Sequence, residues 1–222
     1  MFNNLLAGIP NPFDIADIFR NIKSRWYVYL VVAIVIALLL VFVFVKKKER
    51  NKLTPTQKIV YTAVLTVLCF LSNYLTIKVS DVWQISLVAT AGFIAGYLMG
   101  SGLGFVCAFL GDFICGIVAP LGVYSPVLGL GTGLMAFIPG LIFERFKFND
   151  YAKIVISYLA VFILASLFVN TLGLVLLYGF PMDVYIARLP SALLTLVINL
   201  AVSIIFIPLF PRILPKDKFY IE

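Results

Sequence analysis

The chain has no histidine, only 12% charged residues and just three cysteines among its 222 residues. Each shortage excludes a class of chemistry. Without histidine there is no zinc-protease helix motif and no Ser-His-Asp triad. Cys69, Cys107 and Cys115 all lie in apolar runs without metal-ligand spacing, so they read as small buried residues rather than a disulfide framework. No Gly-Lys pair occurs anywhere, which removes the P-loop. Gly100-Ser-Gly-Leu-Gly104 has the look of a nucleotide loop but joins two apolar segments and follows no strand. Nothing resembles a paired-carboxylate site, and neither metal nor cofactor is expected.

What the chain has in excess is apolar surface. Hydrophobic residues make up 63% of it, while ordinary globular chains carry about 25% charged residues. An all-α polytopic membrane protein follows, because apolar runs this long without strand alternation must satisfy their own backbone. The first 25 residues are polar enough to stay out of hydrocarbon, and Phe13, Ile15, Ile18 and Phe19 among Asp14, Asp17 and Arg20 fit a short interfacial helix. Trp26–Val45 is long enough for one span, and Lys46-Lys47-Lys48-Glu49-Arg50 stops it. Thr54-Pro55 then marks a helix start. Six further spans are expected at about 56–77, 84–100, 103–119, 127–143, 153–177 and 190–210. The domain division is 1–25 (tail), 26–53 (extra span and basic linker), 54–212 (six-helix unit) and 213–222 (C-terminal tail).

The net charge of +7 is read as an orientation signal rather than a nucleic-acid surface. With the end of the extra span in the cytoplasm, twelve of the seventeen Lys and Arg residues fall inside: Lys46, Lys47, Lys48, Arg50, Lys52, Lys58, Arg145, Lys147, Lys153, Arg212, Lys216 and Lys218. That arrangement gives a multi-pass plasma-membrane protein with an external N-terminus and a cytoplasmic C-terminus. The N-terminal tail, with Arg20, Lys23 and Arg25, fits it least well. The external loops are 78–83, 120–126 and 178–189, all rich in aromatics, glycine or proline.

The stretch Gly104–Phe143 contains one ionised side chain, Asp112. An intramembrane carboxylate is costly and faces either a partner helix or a cavity, so Asp112 is structural or site-lining. Trp83, Tyr124, Tyr178 and Tyr185 can stack on a flat ring or form an interfacial belt. Ser125 lies in the same loop as Tyr124. Asn170 and Asn199 are amides in apolar helices and want a neighbouring helix or a ligand. Arg188, just before Pro190, either snorkels to the interface or forks around a carboxylate. Gly92, Gly96 and Gly100, and again Gly129 and Gly133, recur every four residues and make smooth faces for helix packing or partner contact.

Gly104…Asp112…Gly116…Pro120-Leu-Gly-Val-Tyr-Ser-Pro126…Leu134…Pro139-Gly140-Leu-Ile-Phe143 resembles the S components of energy-coupling factor vitamin transporters, the folate group above all. Asn170-Thr-Leu-Gly-Leu-Val-Leu-Leu-Tyr-Gly179 followed by Ala187-Arg-Leu-Pro190 is similar to that group's connection between its last two helices. The resemblance covers about residues 54–212. It implies a six-helix, non-enzymatic subunit that binds a small vitamin and works in the bilayer with a transmembrane coupling subunit and two ATP-binding subunits. It also implies an Ala-x-x-x-Ala contact face on the first helix. The nearest match here is Ala63-x-x-x-Val67, and the extra N-terminal span is a second departure. Folate or a folate-like compound is the first expectation, with pantothenate as the rival vitamin. An integral-membrane enzyme using Asp112, Glu144 or Arg188 and an assembly subunit are the rivals of another class.

Overall fold

The computed structural model describes residues 53–78, 84–118, 126–147, 149–171 and 182–206. The extra span Trp26–Val45 and both tails lie outside the described residues. The described chain is all-helical apart from one minimal ladder, and its helices are long and apolar enough to cross a bilayer.

Helix α1, Pro55–Tyr74, starts where the Thr54-Pro55 pair anticipates. Gln57 N–H donates to Thr54 Oγ1 at 3.3 Å and Thr54 N–H to Gln57 Oε1 at 3.1 Å, so two otherwise orphaned backbone donors are satisfied reciprocally. The helix ends three residues before the expected boundary of 77. Ile77–Lys78 (β1) pairs antiparallel with Gln84–Ile85 (β2), Ile77 opposite Ile85. Apolar Ile77 extends the hydrophobic run, but two β-branched residues, Thr76 and Ile77, suit the ladder better than a helix end.

Helix α2, Val88–Val118, comprises two arms meeting at Gly100, whose φ of 84° and ψ of 177° only glycine adopts without strain. The loop expected at 101–102 is absent, because the turn needs this one residue. The chain folds back there so closely that a Cβ on Gly104 would stand 2.6 Å from Gly96 Cα. Helix α3, Pro126–Arg145, lies in the groove so formed. A Cβ on Gly96 would collide with the Ala136 carbonyl oxygen, and one on Gly140 would lie 2.5 Å from Ser101 N. Gly92 faces the Met135–Ala136 backbone, and Gly133 faces the Phe105 ring. The small-residue faces of α2 and α3 therefore pack against each other inside the chain, where backbones can approach closely. Gly129 is buried on α3, whereas Ala63 lies on the exposed side of α1 among the described residues.

Helix α4, Asp150–Ala160, continues as a π-helix through Val161–Thr171. Phe93, Tyr97, Phe143 and Tyr158 form an aromatic core between α2, α3 and α4, with Phe93 stacked on Tyr158 at 5.2 Å and Tyr97 edge-on to Phe143 at 4.9 Å. Helix α5, Met182–Phe206, corrects the expected start at 190: residues 182–189 are helical rather than an external loop. Pro190 lies within the helix instead of opening it. Its ring removes the donor to the Ile186 carbonyl; Asp183 sits favourably in the first turn, and Ser191 Oγ donates to the Arg188 carbonyl at 3.1 Å.

Candidate functional site

The C-terminal end of α1, the β2–α2 junction, the second arm of α2, the start of α3, the π-helical stretch and the start of α5 meet at one end of the bundle. Between them lies a cavity of about 370 Å³, within the range of roughly 300–1,000 Å³ usual for small-molecule sites. Its walls are part apolar, from Val88, Met135, Val161, Phe162 and Leu196, and part polar.

Asp112, Asn170 and Arg188 all line this cavity. Asp112 is approached from two sides: Asn73 Nδ2 of α1 donates to its Oδ1, and Thr132 Oγ1 of α3 lies 3.3 Å from the same oxygen, its one proton shared with the Leu128 carbonyl at 3.2 Å. Its Oδ2 accepts from no described group. Asn170 Oδ1 is buried without a hydrogen-bond donor and lies against Gly131, where a Cβ would collide with it. Thr76 Oγ1, also on the cavity wall, is buried and unpartnered. Arg188 is half-buried, and among the described residues no carboxylate lies within ion-pair distance of it. The Asn170 and Thr76 oxygens are sealed from the cavity, so the charged groups Asp112 and Arg188 are its distinctive wall groups, and charges within an apolar bundle usually face a partner or a cavity.

Asn199 behaves differently. It is fully buried, and all of its amide capacity is used within the chain. Thr90 N–H and Oγ1 donate to its Oδ1 at 2.9 and 2.7 Å, and its Nδ2 donates to the Ser86 and Thr195 carbonyls at 2.7 Å each. Tyr158 OH extends this network to Thr90 and Ser203. Asn199 thus ties α5 to the β2–α2 junction without reaching the cavity wall itself. Trp83, Tyr124, Ser125 and Tyr178 lie outside the described residues. The sequence reading missed Asn73 and Thr132, the two groups that orient Asp112. Their signal was polarity within apolar helices at a height matching Asp112.

Glu144 is at the opposite end of the bundle, where it accepts from Ser101 N–H and Ser101 Oγ at 2.8 Å each. It caps the second arm of α2 and never approaches Asp112 or Arg188, so the three groups named for an enzyme do not converge. No group of metal-binding side chains occurs among the described residues.

An apolar helical bundle with a half-polar cavity at one end and its charged groups placed to hold rather than to react defines a membrane subunit that binds a small molecule. Residues 57–216 match the family described as the ECF transporter substrate-specific component, and the chain belongs to that family of energy-coupling factor transporter subunits. These subunits bind a transported substrate and are not enzymes. No curated protein matches the chain. Ten solved chains do. One, described as the crystal structure of FolT bound with folic acid, is 18% identical, with a TM-score of 0.59 over 67% of this chain and 92% of its own. Another, described as the S component of a bacterial ECF transporter, is 14% identical, with a TM-score of 0.57 over 72% of this chain and 96% of its own. At these identities the likeness establishes the fold.

Proposed function

We propose that this chain captures folate or a folate-like vitamin at the outer face of the membrane and hands it to a transmembrane coupling subunit driven by two ATP-binding subunits. The observation that carries the reading is Arg188, a half-buried guanidinium on the cavity wall with no carboxylate within ion-pair distance among the described residues. Such a cation wants a carboxylate, and a forked, partly desolvated pair is strong as well as geometrically selective. The folic acid bound in a chain of the same fold supports this choice of vitamin. Pantothenate, which also carries a carboxylate, is the rival that Arg188 alone does not dismiss.

The outward orientation rests on the basic residues. Lys58, Arg145, Lys147 and Lys153 lie at the end away from the cavity. Trp83, Tyr124, Ser125 and Tyr178 belong to segments joining the elements that line the cavity, and we assign them to its cover. The substrate-binding domain is residues 54–212, and the exposed Ala63 side of α1 is the face offered to the coupling subunit.

Native mass spectrometry of the purified protein against a panel of water-soluble vitamins tests the substrate. Retention of folic acid is expected; retention of pantothenate alone would replace it. Accumulation in cells should require the coupling and ATP-binding subunits, and robust uptake without them would overturn the energising scheme. Cysteines placed at Ser125 and Asp183 should label from outside. Labelling of cysteines at Arg145 or Lys216 from outside would reverse the topology.

A further inference from the structure

The stretch Val161–Thr171 is a π-helix. Helices of this kind are rare beyond a single turn and recur at functional sites. Their i→i+5 hydrogen bonds widen each turn to roughly four and a half residues, so positions nine apart share a face. In an α-helix of 3.6 residues per turn, positions nine apart fall on opposite faces. Val161 and Asn170, nine apart, nonetheless line one cavity, with Phe162 and Ser166 between them. The widened turn thus supplies a continuous wall, and Phe162 is the aromatic group on it. Phe162 is half-buried, yet it joins neither apolar core cluster of the described residues. No aromatic ring among the described residues lies against it. Tyr158, about one turn earlier, is the contrast: its ring stacks on Phe93 at 5.2 Å and its hydroxyl meets Ser203.

Ser203, bonded to Tyr158, stands roughly 20 Å along α5 from Arg188 at 1.5 Å per residue. Phe162 lies about one turn beyond Tyr158, toward the start of α5, so roughly 15 Å separates its level from that of Arg188. A phenyl face prefers an offset-stacked or edge-on aromatic partner. Met135, whose thioether also suits an aromatic ring, lines the same cavity. We infer that the cavity takes an elongated ligand, with Phe162 stacking on a flat ring at one end while Arg188 takes a carboxylate at the other. This assignment rests on the vitamin-binding reading above and adds the shape that separates its candidates. Folic acid carries a fused ring at the end remote from its carboxylates. Pantothenate has a carboxylate but no ring.

The test is isothermal titration of the purified full-length protein with two probes, folic acid and N-(4-aminobenzoyl)-L-glutamate, which keeps the carboxylates and lacks the fused ring. Wild type should bind folic acid about 10-fold tighter or more, the worth of burying a ring of that size. In Phe162→Leu, which keeps apolar bulk but loses the ring face, that ratio should shrink about 3- to 10-fold. The fragment should bind this variant within about twofold of wild type, since its own contacts lie elsewhere. Phe162→Tyr keeps the ring and should keep the wild-type ratio. Phe162→Ile is a second ringless variant and keeps the test decisive if Phe162→Leu fails to accumulate. A wild-type ratio in the ringless variants would overturn the ring platform and leave the folate reading standing. A wild type that binds no folic acid would overturn both.

Discussion

At the end of the bundle holding the α2 turn, a carboxylate is completely occupied: both oxygens of Glu144 accept from Ser101. Nearby, Lys153 pairs with Asp150 at 3.0 Å and lies over the Phe143 ring. At the other end, among the described residues, Asp112 accepts through one oxygen only, Asn170 and Thr76 keep buried oxygens without donors, and Arg188 has no counter-ion. Among the described residues Ser157 Oγ is also buried without a partner, and Ser157 does not line the cavity. The same residue types therefore serve opposite purposes. Where polar groups are mutually satisfied they fix the fold, and on the proposed reading Asp112 and Arg188 are held for a ligand. Desolvating a polar group without a partner costs about 1–3 kcal/mol. That cost is tolerable only in a place that a ligand later occupies, or that water enters until it does.

The contrast can be broken by changes that remove structure without touching binding. The largest effect is expected for Gly96→Leu, whose side chain has no room against the Ala136 carbonyl. Overpacking of this kind costs about 3 kcal/mol or more, so detergent-solubilised protein should be largely lost, judged by elution profile and thermal unfolding. Asn199→Leu comes next. It strands the Ser86 carbonyl and the Thr90 donors, and about 2 kcal/mol of stability should go. A lower unfolding temperature of the ligand-free protein reports it, with a smaller change in affinity because Asn199 stands behind the wall. Glu144→Gln should cost least, about 1 kcal/mol through weakened bonds to Ser101. Its affinity should stay within about twofold of wild type, since additivity holds for distant sites. A Glu144 variant that lost binding while keeping its unfolding temperature would erase the distinction between the two ends.

Much of this arrangement was legible in the chain. Thr54-Pro55 announced the start of α1, and the four-residue glycine spacing announced where backbones meet. What spacing could not show was that Gly96, Gly104 and Gly140 converge on a single turn at Gly100, because that depends on one positive φ rather than on periodicity. Pro190 misled the reading of α5. Proline usually opens a helix, yet here the helix begins eight residues earlier, with Asp183 in its first turn and Pro190 inside it. Arg188 thereby moves from a loop onto a helical wall. Asp112 and Asn199 looked alike in sequence, as polar residues in apolar helices. Only partners distant along the chain, Asn73 and Thr132 for one and Thr90 and Ser86 for the other, separate a half-used group from a fully used one.

The central claim is that the unsatisfied end is the binding site and that Arg188 holds the ligand's carboxylate. Titration of purified wild-type, Arg188→Lys and Arg188→Ala protein with folic acid tests it most directly. The expected order is wild type tightest, lysine weaker because it keeps the charge but loses the fork, and alanine weakest. Relative to wild type, the alanine variant should lose about 10- to 100-fold or more in affinity, at one to two charge-assisted hydrogen bonds. The amount of protein in the membrane should stay unchanged across the three. Wild-type affinity in Arg188→Ala would contradict the account, placing the carboxylate elsewhere and making Arg188 an interfacial anchor.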